Sequence, residues 1–430
     1  MFLGEGRIIM VHQQQNRIGD WAACLGTATL GLIVVFVLAV VASQAAQAQT
    51  FKVIHNFSGG QDGANPYAGV TLDKAGNLYG TAYAGGIGHG TVYQLKKKPS
   101  GWIFNPLYSF PGGIDGANPL ARVILGRNGT LYGTTYNGGT SGVGTVFNLK
   151  PSASACKSAL CPWTETVLYS FPSGAGGAYP EYGDLLFDQA GDIYGTAADG
   201  GYGGFGVVYE LTPSGPPWTE NILYSFSGSD GEYPANGVIP DSAGNLYGTT
   251  YQGGLSGYGT VFELMPSGGF PWIQCTLNNF NGSNGAYVYA GLIADPSGNL
   301  YGATTAYGKN GGGTVFQLTY SDVCTWTLTT LYNFTNTSGS QCGPWGTLAI
   351  DGDGNIYGAT YCDGTHKAGN VFKLAHNTWV YTSLYDFTGG NDGGNPVGQV
   401  IVDANGTTLY GTTSAGGTQN VGVIWEITIP

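Results

Sequence analysis

One seven-residue string is written seven times along the chain. It reads GNLYGTA from Gly76, GTLYGTT from Gly129, GDIYGTA from Gly191, GNLYGTT from Gly244, GNLYGAT from Gly298, GNIYGAT from Gly354 and TTLYGTT from Thr407. Its tyrosines, Tyr79, Tyr132, Tyr194, Tyr247, Tyr301, Tyr357 and Tyr410, lie 53, 62, 53, 54, 56 and 53 residues apart. A fixed period of this length means an array of one supersecondary unit that folds as a single body, not a chain of independent domains.

The unit from Trp218 to Leu264 contains four β-forming runs. WTENILYSF alternates, NGVIPD is short and apolar, NLYGTTY follows a Ser-Ala-Gly turn, and TVFEL follows the glycine-rich QGGLSGYG. Such spacing reads as a four-stranded antiparallel meander. A lone sheet of this size leaves both faces wet, whereas seven packed face to face around an axis bury them. The expected fold is therefore all-β, a seven-bladed β-propeller of four-stranded antiparallel blades. Composition agrees. Charged residues are only 9% of the chain, glycine numbers 76 and tyrosine 29, as expected when both faces of most strands touch protein. The first strand after the N-terminal segment, Phe51–Phe57, matches the fourth strand of a blade. The last, VGVIWEITIP, matches the third. The N-terminal strand is thus expected to complete the last blade, close the ring and remove a raw sheet edge.

Within the repeated string, Leu and Tyr alternate and should face different neighbours. The glycine after them should allow a flanking backbone to approach closely. The Asp-x-x-Gly-Asn segment before them, as at Asp241–Asn245, should form a tight hairpin.

The pattern G-N-L-Y-G-T-T, then G-G, then G-T-V-F-x-L resembles the GloVer tandem repeat of bacterial "choice-of-anchor" surface proteins, and does so over nearly all of the chain after the N-terminal segment. The resemblance implies a secreted propeller, with no established activity. Family members often carry a C-terminal anchor. This sequence stops just after the last repeat, at Pro430.

Residues 1–48 read as a secretory signal peptide. Arg7 and Arg17 precede an apolar run from Leu25 to Ala42, and Ala46 and Ala48 form an A-x-A site before Gln49. Residues 49–430 would then be the secreted, extracellular or periplasmic propeller. A membrane association is expected only if the segment stays uncleaved, since the apolar run is just long enough to span. Export implies an oxidising compartment and paired cysteines. The expected pairs are Cys156 with Cys161 in an inserted loop, Cys342 with Cys362 between two loops of one face, and Cys275 with Cys324 between successive blades.

The net charge is −12, with 14 Lys and Arg in total, so nucleic acid is not an expected partner. Lys96-Lys97-Lys98 reads as a solvated loop. No cofactor or metal is expected. There is no C-x-x-C, only 5 histidines are present, and DGDGN at Asp351–Asn355 lacks the glycine and terminal glutamate of a calcium loop. The protein is expected to be a monomer.

Strand order places the fourth-to-first loops (GGQDGANP, GGIDGANP, GSDGEYP, GGNDGGNP) and the second-to-third loops on one face. That face holds Asp62, Asp115, Asp230 and Asp392, with Tyr83, Tyr136, Tyr251 and Tyr361 nearby. The recurring aspartates read as turn chemistry first and as ligand contacts second. Departures from the repeat there are His89, Arg122, Glu181, Asp199, Glu232, Lys309, Trp345, Asp363 and His366. A ring of aromatics, amides and carboxylates suits a glycan or a protein ligand, and the expected function is a binding or scaffold module. The alternative is a glycan-active hydrolase or lyase on the same face, for which Glu181 and Glu232 could form an acid/base pair.

Overall fold

The computed structural model describes residues 49–151, 163–335 and 341–429. The expected signal peptide and the Cys156–Cys161 pair lie outside them. Within Thr50–Thr428, one compact unit, the strands form seven four-stranded antiparallel sheets and a small two-stranded one, Gly177–Ala178 with Asp199–Gly200. Blade four is typical: Ile239–Pro240 innermost, then Leu246–Thr250, Thr260–Met265 and Ile273–Asn279 outermost. Blade seven is built from both ends of this unit. Ile401–Val402, Thr408–Thr413 and Val423–Thr428 are joined by Thr50–Asn56, paired from Thr50 opposite Thr428 to Asn56 opposite Val423 with a bulge between Val53 and His55. The N-terminal strand closes the ring, as the sequence pattern anticipates.

Each core layer lies between two blades. Tyr79, Val92, Leu107 and Phe110 of blade one pack with Val123, Leu131, Phe147 and Leu149 of blade two. The closing seam is equally dry: Phe57, Ile401, Tyr410 and Ile424 meet Val70, Leu78, Tyr93 and Leu95. Burial on both faces explains the scarcity of charge.

The leucine or isoleucine of the repeated string is buried in every blade. In four blades its tyrosine donates its hydroxyl to the hairpin aspartate, as Tyr247 does to Asp241 Oδ2 at 3.1 Å and Tyr301 to Asp295 Oδ2 at 3.0 Å. That aspartate also accepts two backbone N–H groups and the Asn side chain, as Asp241 does from Ala243, Asn245 and Asn245 Nδ2 at 2.8–2.9 Å. Asp351 of DGDGN makes the same set with Asp353, Asn355 and Tyr357. Burial pushes its pKa up, but these donors outweigh burial and hold it below the usual carboxylate value. In four blades the threonine two residues after the tyrosine crosses to the next blade. Thr81 donates to Ala121 O at 2.9 Å, Thr249 to Ala290 O at 3.0 Å and Thr412 to Ala68 O at 2.7 Å.

The glycine has a different reason from the one expected. Its close neighbour is not backbone but an aromatic ring of the adjoining third strand. A Cβ on Gly248 would lie 2.5 Å from Phe262 Cζ, and rings of Tyr93, Phe147, Tyr209, Phe316, Phe372 and Trp425 lie over the other six. Glycine is needed because the ring lies flat on its partner residue.

A second periodicity escaped the sequence reading. Trp102, Trp163, Trp218, Trp272, Trp326 and Trp379 each stand five residues before a leucine of the outer strand. In the structure Trp102, Trp272, Trp326 and Trp379 reach back over the repeated tyrosine of the preceding blade, with ring centroids 5.7 Å apart for Trp326 and Tyr247 and 5.9 Å for Trp102 and Tyr410. Lys97 belongs to the same seam. Its ammonium sits 5.5 Å over the Trp102 ring and donates to the Tyr410 hydroxyl at 3.3 Å, so the lysine run is partly a packing element and not only a solvated loop.

Candidate functional site

The two loop classes meet at one end of the ring. Fourth-to-first and second-to-third loops are bridged at Ala64 with Ala84, Ala117 with Asn137, Glu232 with Gln252 and Gly394 with Ala415. The residue before the loop proline takes a left-handed conformation (Asn65, φ 54°; Asn118, φ 59°; Tyr233, φ 64°), and asparagine tolerates this well. Asn118 Nδ2 then ties the loop to Tyr83 O of the preceding blade at 3.1 Å. The Asn-Pro pair therefore turns the chain down into the central channel.

The recurring aspartates are engaged by their own loops. Asp62 accepts from Ser58 N at 2.9 Å and contacts His55 Nε2 at 3.1 Å. Asp115 accepts from Tyr108 at 2.6 Å. Asp230 accepts from Ser227 N at 2.9 Å and from the Tyr224 hydroxyl. Asp392 accepts from Thr388 N at 2.8 Å and Tyr385 at 3.1 Å. Each holds a loop against its outer strand, which is turn chemistry. Beside Asp115, burial and that neighbouring carboxyl push Glu165 up to about 8. Blade three lacks the loop aspartate, and there Glu220 takes its place, accepting from Tyr169 at 2.7 Å.

The channel mouth is aromatic. Tyr251 contacts Tyr287 (5.2 Å between centroids) and Tyr289 (4.1 Å). Trp345 stacks between Tyr289 (4.6 Å) and Tyr361 (4.9 Å). Tyr136 meets Tyr179 at 5.0 Å, and Tyr67 meets Tyr83 at 5.4 Å. Gln341 braces the run, donating through Nε2 to the Tyr251 hydroxyl at 3.1 Å and accepting Trp345 Nε1 at its carbonyl at 3.0 Å. The Cys342–Cys362 disulfide, Cα atoms 4.6 Å apart, joins the two loops that carry Trp345 and Tyr361. Cys275 and Cys324 are also bridged, Cα atoms 5.4 Å apart, and staple blade four to blade five.

Glu181 stands in this mouth because blade three has one residue more there. Four residues separate Pro180 from Leu185, where three separate Pro66 from Val70 and Pro234 from Val238. Burial, and then the nearby Asp199 carboxylate, push Glu181 up to about 7. Its charge also raises the hydroxyls of Tyr136, Tyr182, Tyr233 and Tyr289, each already raised by burial. Asp199 is the carboxylate that raises Glu181, and Tyr233 is raised by burial and then by Glu181, Asp199, Tyr136 and Glu232. His366 sits exposed on its loop. Below the mouth, Arg122 Nε donates to Asp184 Oδ2 at 2.6 Å. With Leu120, Asn236, Thr347 and Gln399 this pair narrows the channel to a void of about 20 Å³, room for one water.

The sequence matches the Gloeobacter/Verrucomicrobia repeat over residues 39–161, 158–341 and 273–430. The chain belongs to this repeat family. No curated protein matches it. Among solved structures, the extracellular domain assigned to a hybrid two-component system of B. thetaiotaomicron is similar at 12% identity and a TM-score of 0.53, over 87% of this chain and 39% of that one. A puromycin hydrolase variant is similar at 12% identity and a TM-score of 0.52, over 82% and 50%. A protein of unknown function from Dyadobacter fermentans is similar at 11% identity and a TM-score of 0.48, over 89% and 100%. The chain spans half or less of the length of the first two. For this Gloeobacter/Verrucomicrobia repeat protein the likeness concerns the fold.

Proposed function

We propose that this propeller is a secreted binding module whose loop-face mouth holds a glycan. The observation that carries the reading is the braced run Tyr287–Tyr251–Tyr289–Trp345–Tyr361, open at its edges to the mouth and flanked by Tyr136, Glu181 and Asp199. A sugar offers C–H faces and hydroxyls together. Aromatic edges take the first, while phenols, Gln341 and carboxylates take the second, so little polar surface is buried unpaired. The narrow channel below fits a ligand that lies across the ring, not one that threads it. The two disulfides suit an oxidising, extracellular or periplasmic location. A glycan and peptide array on residues 49–430 tests the proposal. It expects glycan hits that are lost in Tyr251→Ala. Peptide hits alone would turn the assignment to a protein ligand.

A second reading rests on Glu181. A carboxyl held up to about 7 beside Asp199 is suited to general-acid work on a glycosidic bond. It predicts that a bound glycan is shortened on incubation and that Glu181→Gln still binds it but leaves it intact.

A further inference from the structure

Blade three brings two carboxyls to the mouth and nothing to neutralise them. Asp199 stands opposite Ala178 in the two-stranded ladder, and Ala178 lies three residues before Glu181. The segment that follows Ala178 is pinned on both sides. Tyr179 N donates to Val143 O of blade two at 2.8 Å, and Tyr182 N donates to Ala235 O of blade four at 2.9 Å. Glu181 is therefore held between Tyr136 of blade two and Tyr233 of blade four, and both tyrosines feel both carboxyls.

A ligand can reach these groups. Glu181, Asp199, Tyr136 and Tyr233 are all partly exposed, and none of their side chains has a hydrogen-bond partner among the described residues. No Lys, Arg or His among those residues offsets either carboxyl. The guanidinium in the channel below, Arg122, is taken by Asp184. Burial and the Asp199 charge are left to act on Glu181 unopposed.

The missing partner has a definable chemistry. An anion would be repelled. A neutral hydroxyl donates to one carboxyl and leaves the like charges unrelieved. A primary ammonium brings a positive charge and three donors, enough for both carboxylates and one phenol oxygen. We propose that the glycan at the mouth is an amino sugar with a free amine, whose ammonium sits between Glu181 and Asp199 beside Tyr136 and Tyr233. The proposal rests on the glycan reading of the mouth and names the sugar class. The rest of the ligand then lies on the aromatic run.

Hexaglucosamine, cellohexaose and chitohexaose share one β-1,4-linked backbone and differ at carbon 2, which carries an ammonium, a hydroxyl and an acetamide respectively. Titrated calorimetrically into residues 49–430 at pH 6, hexaglucosamine should bind about tenfold more tightly than the other two, the gain of charged over neutral hydrogen bonds. Its preference over cellohexaose should fall below about twofold in the isosteric double variant Glu181→Gln, Asp199→Asn, which removes both charges. Trilysine, which offers ammonium groups without a sugar, should bind about tenfold more weakly than hexaglucosamine. Cellohexaose binding as tightly as hexaglucosamine, or a preference that survives the double variant, overturns the ammonium assignment and leaves the glycan reading standing. Trilysine binding as tightly as hexaglucosamine overturns it in favour of a basic peptide. If none of the three oligosaccharides binds, the inference falls, and the glycan reading falls with it only when the array is silent too.

Discussion

Replacing Gly248 by alanine isolates the reason for the glycine in the repeated string. The backbone at Gly248 lies outside the left-handed region, so alanine fits the local conformation. Taken alone, that would add about 0.4–1 kcal/mol by restricting the unfolded chain. Against this, the new Cβ would sit 2.5 Å from Phe262 Cζ, and Phe262 is completely buried between blades four and three. The ring cannot yield without moving the seam. Overpacking of this kind costs about 1–3 kcal/mol, so the net effect is a loss of roughly 1–2 kcal/mol. Urea unfolding followed by tryptophan fluorescence should show a lower midpoint with an unchanged slope. In a Phe262→Leu background the glycine substitution should cost less, with a coupling of about 1 kcal/mol. Gly269→Ala is the control, because nothing lies within 4 Å of its Cβ position. A neutral or stabilising Gly248→Ala, or a cost unchanged by Phe262→Leu, refutes the ring-on-glycine account.

Two further outcomes follow from other parts of the ring. Glu165 is raised to about 8 in the fold, so the fold favours its neutral form. Its contribution is full below its ordinary value near 4.5, is lost as pH rises from there to about 8, and stays lost above. Glu165→Gln should match the parent at pH 4 and exceed it at pH 9 by on the order of 2 kcal/mol after allowance for screening; equal stability at both pH values would contradict the pairing with Asp115. Removing residues 50–57 strips the outer strand from blade seven and takes Phe51 off the Tyr385 ring, 3.6 Å away between centroids. That chain should lose its single cooperative melt and self-associate through the exposed edge, which size-exclusion chromatography and calorimetry would detect; a monomer with the parent's melt would argue against closure by this strand.

Much of the fold was legible because a repeat averages out local ambiguity. The 53-residue spacing of the tyrosines and the mismatch of the terminal strands were enough for blade count and closure. The face assignment was enough to bring Cys342 to Cys362. The tryptophan five residues before each outer-strand leucine was equally visible, but its role was not, because its partner tyrosine lies one blade earlier. The glycine was misassigned for a related reason. Sequence shows that a side chain is missing, not which group fills the space. At the mouth, the extra residue that lifts Glu181 could be counted in the sequence. The meeting of Tyr182 with Tyr289, ring centroids 6.0 Å apart, depends on the curvature of the ring and on loop paths that no spacing encodes. The repeated aspartates mislead in the other direction. They stand out as a ring of carboxylates, yet each is occupied by a serine, threonine, tyrosine or histidine of its own blade.

The central claim is that the aromatic mouth binds a glycan, and calorimetric titration of residues 49–430 with the strongest glycan from the array tests it most directly. The account predicts saturable binding, weakened about tenfold or more in both Tyr251→Ala and Trp345→Ala and unchanged in Asp392→Asn, whose carboxylate serves only its own loop. Binding that ignores both aromatic substitutions, or that fails in Asp392→Asn while surviving in them, would contradict it.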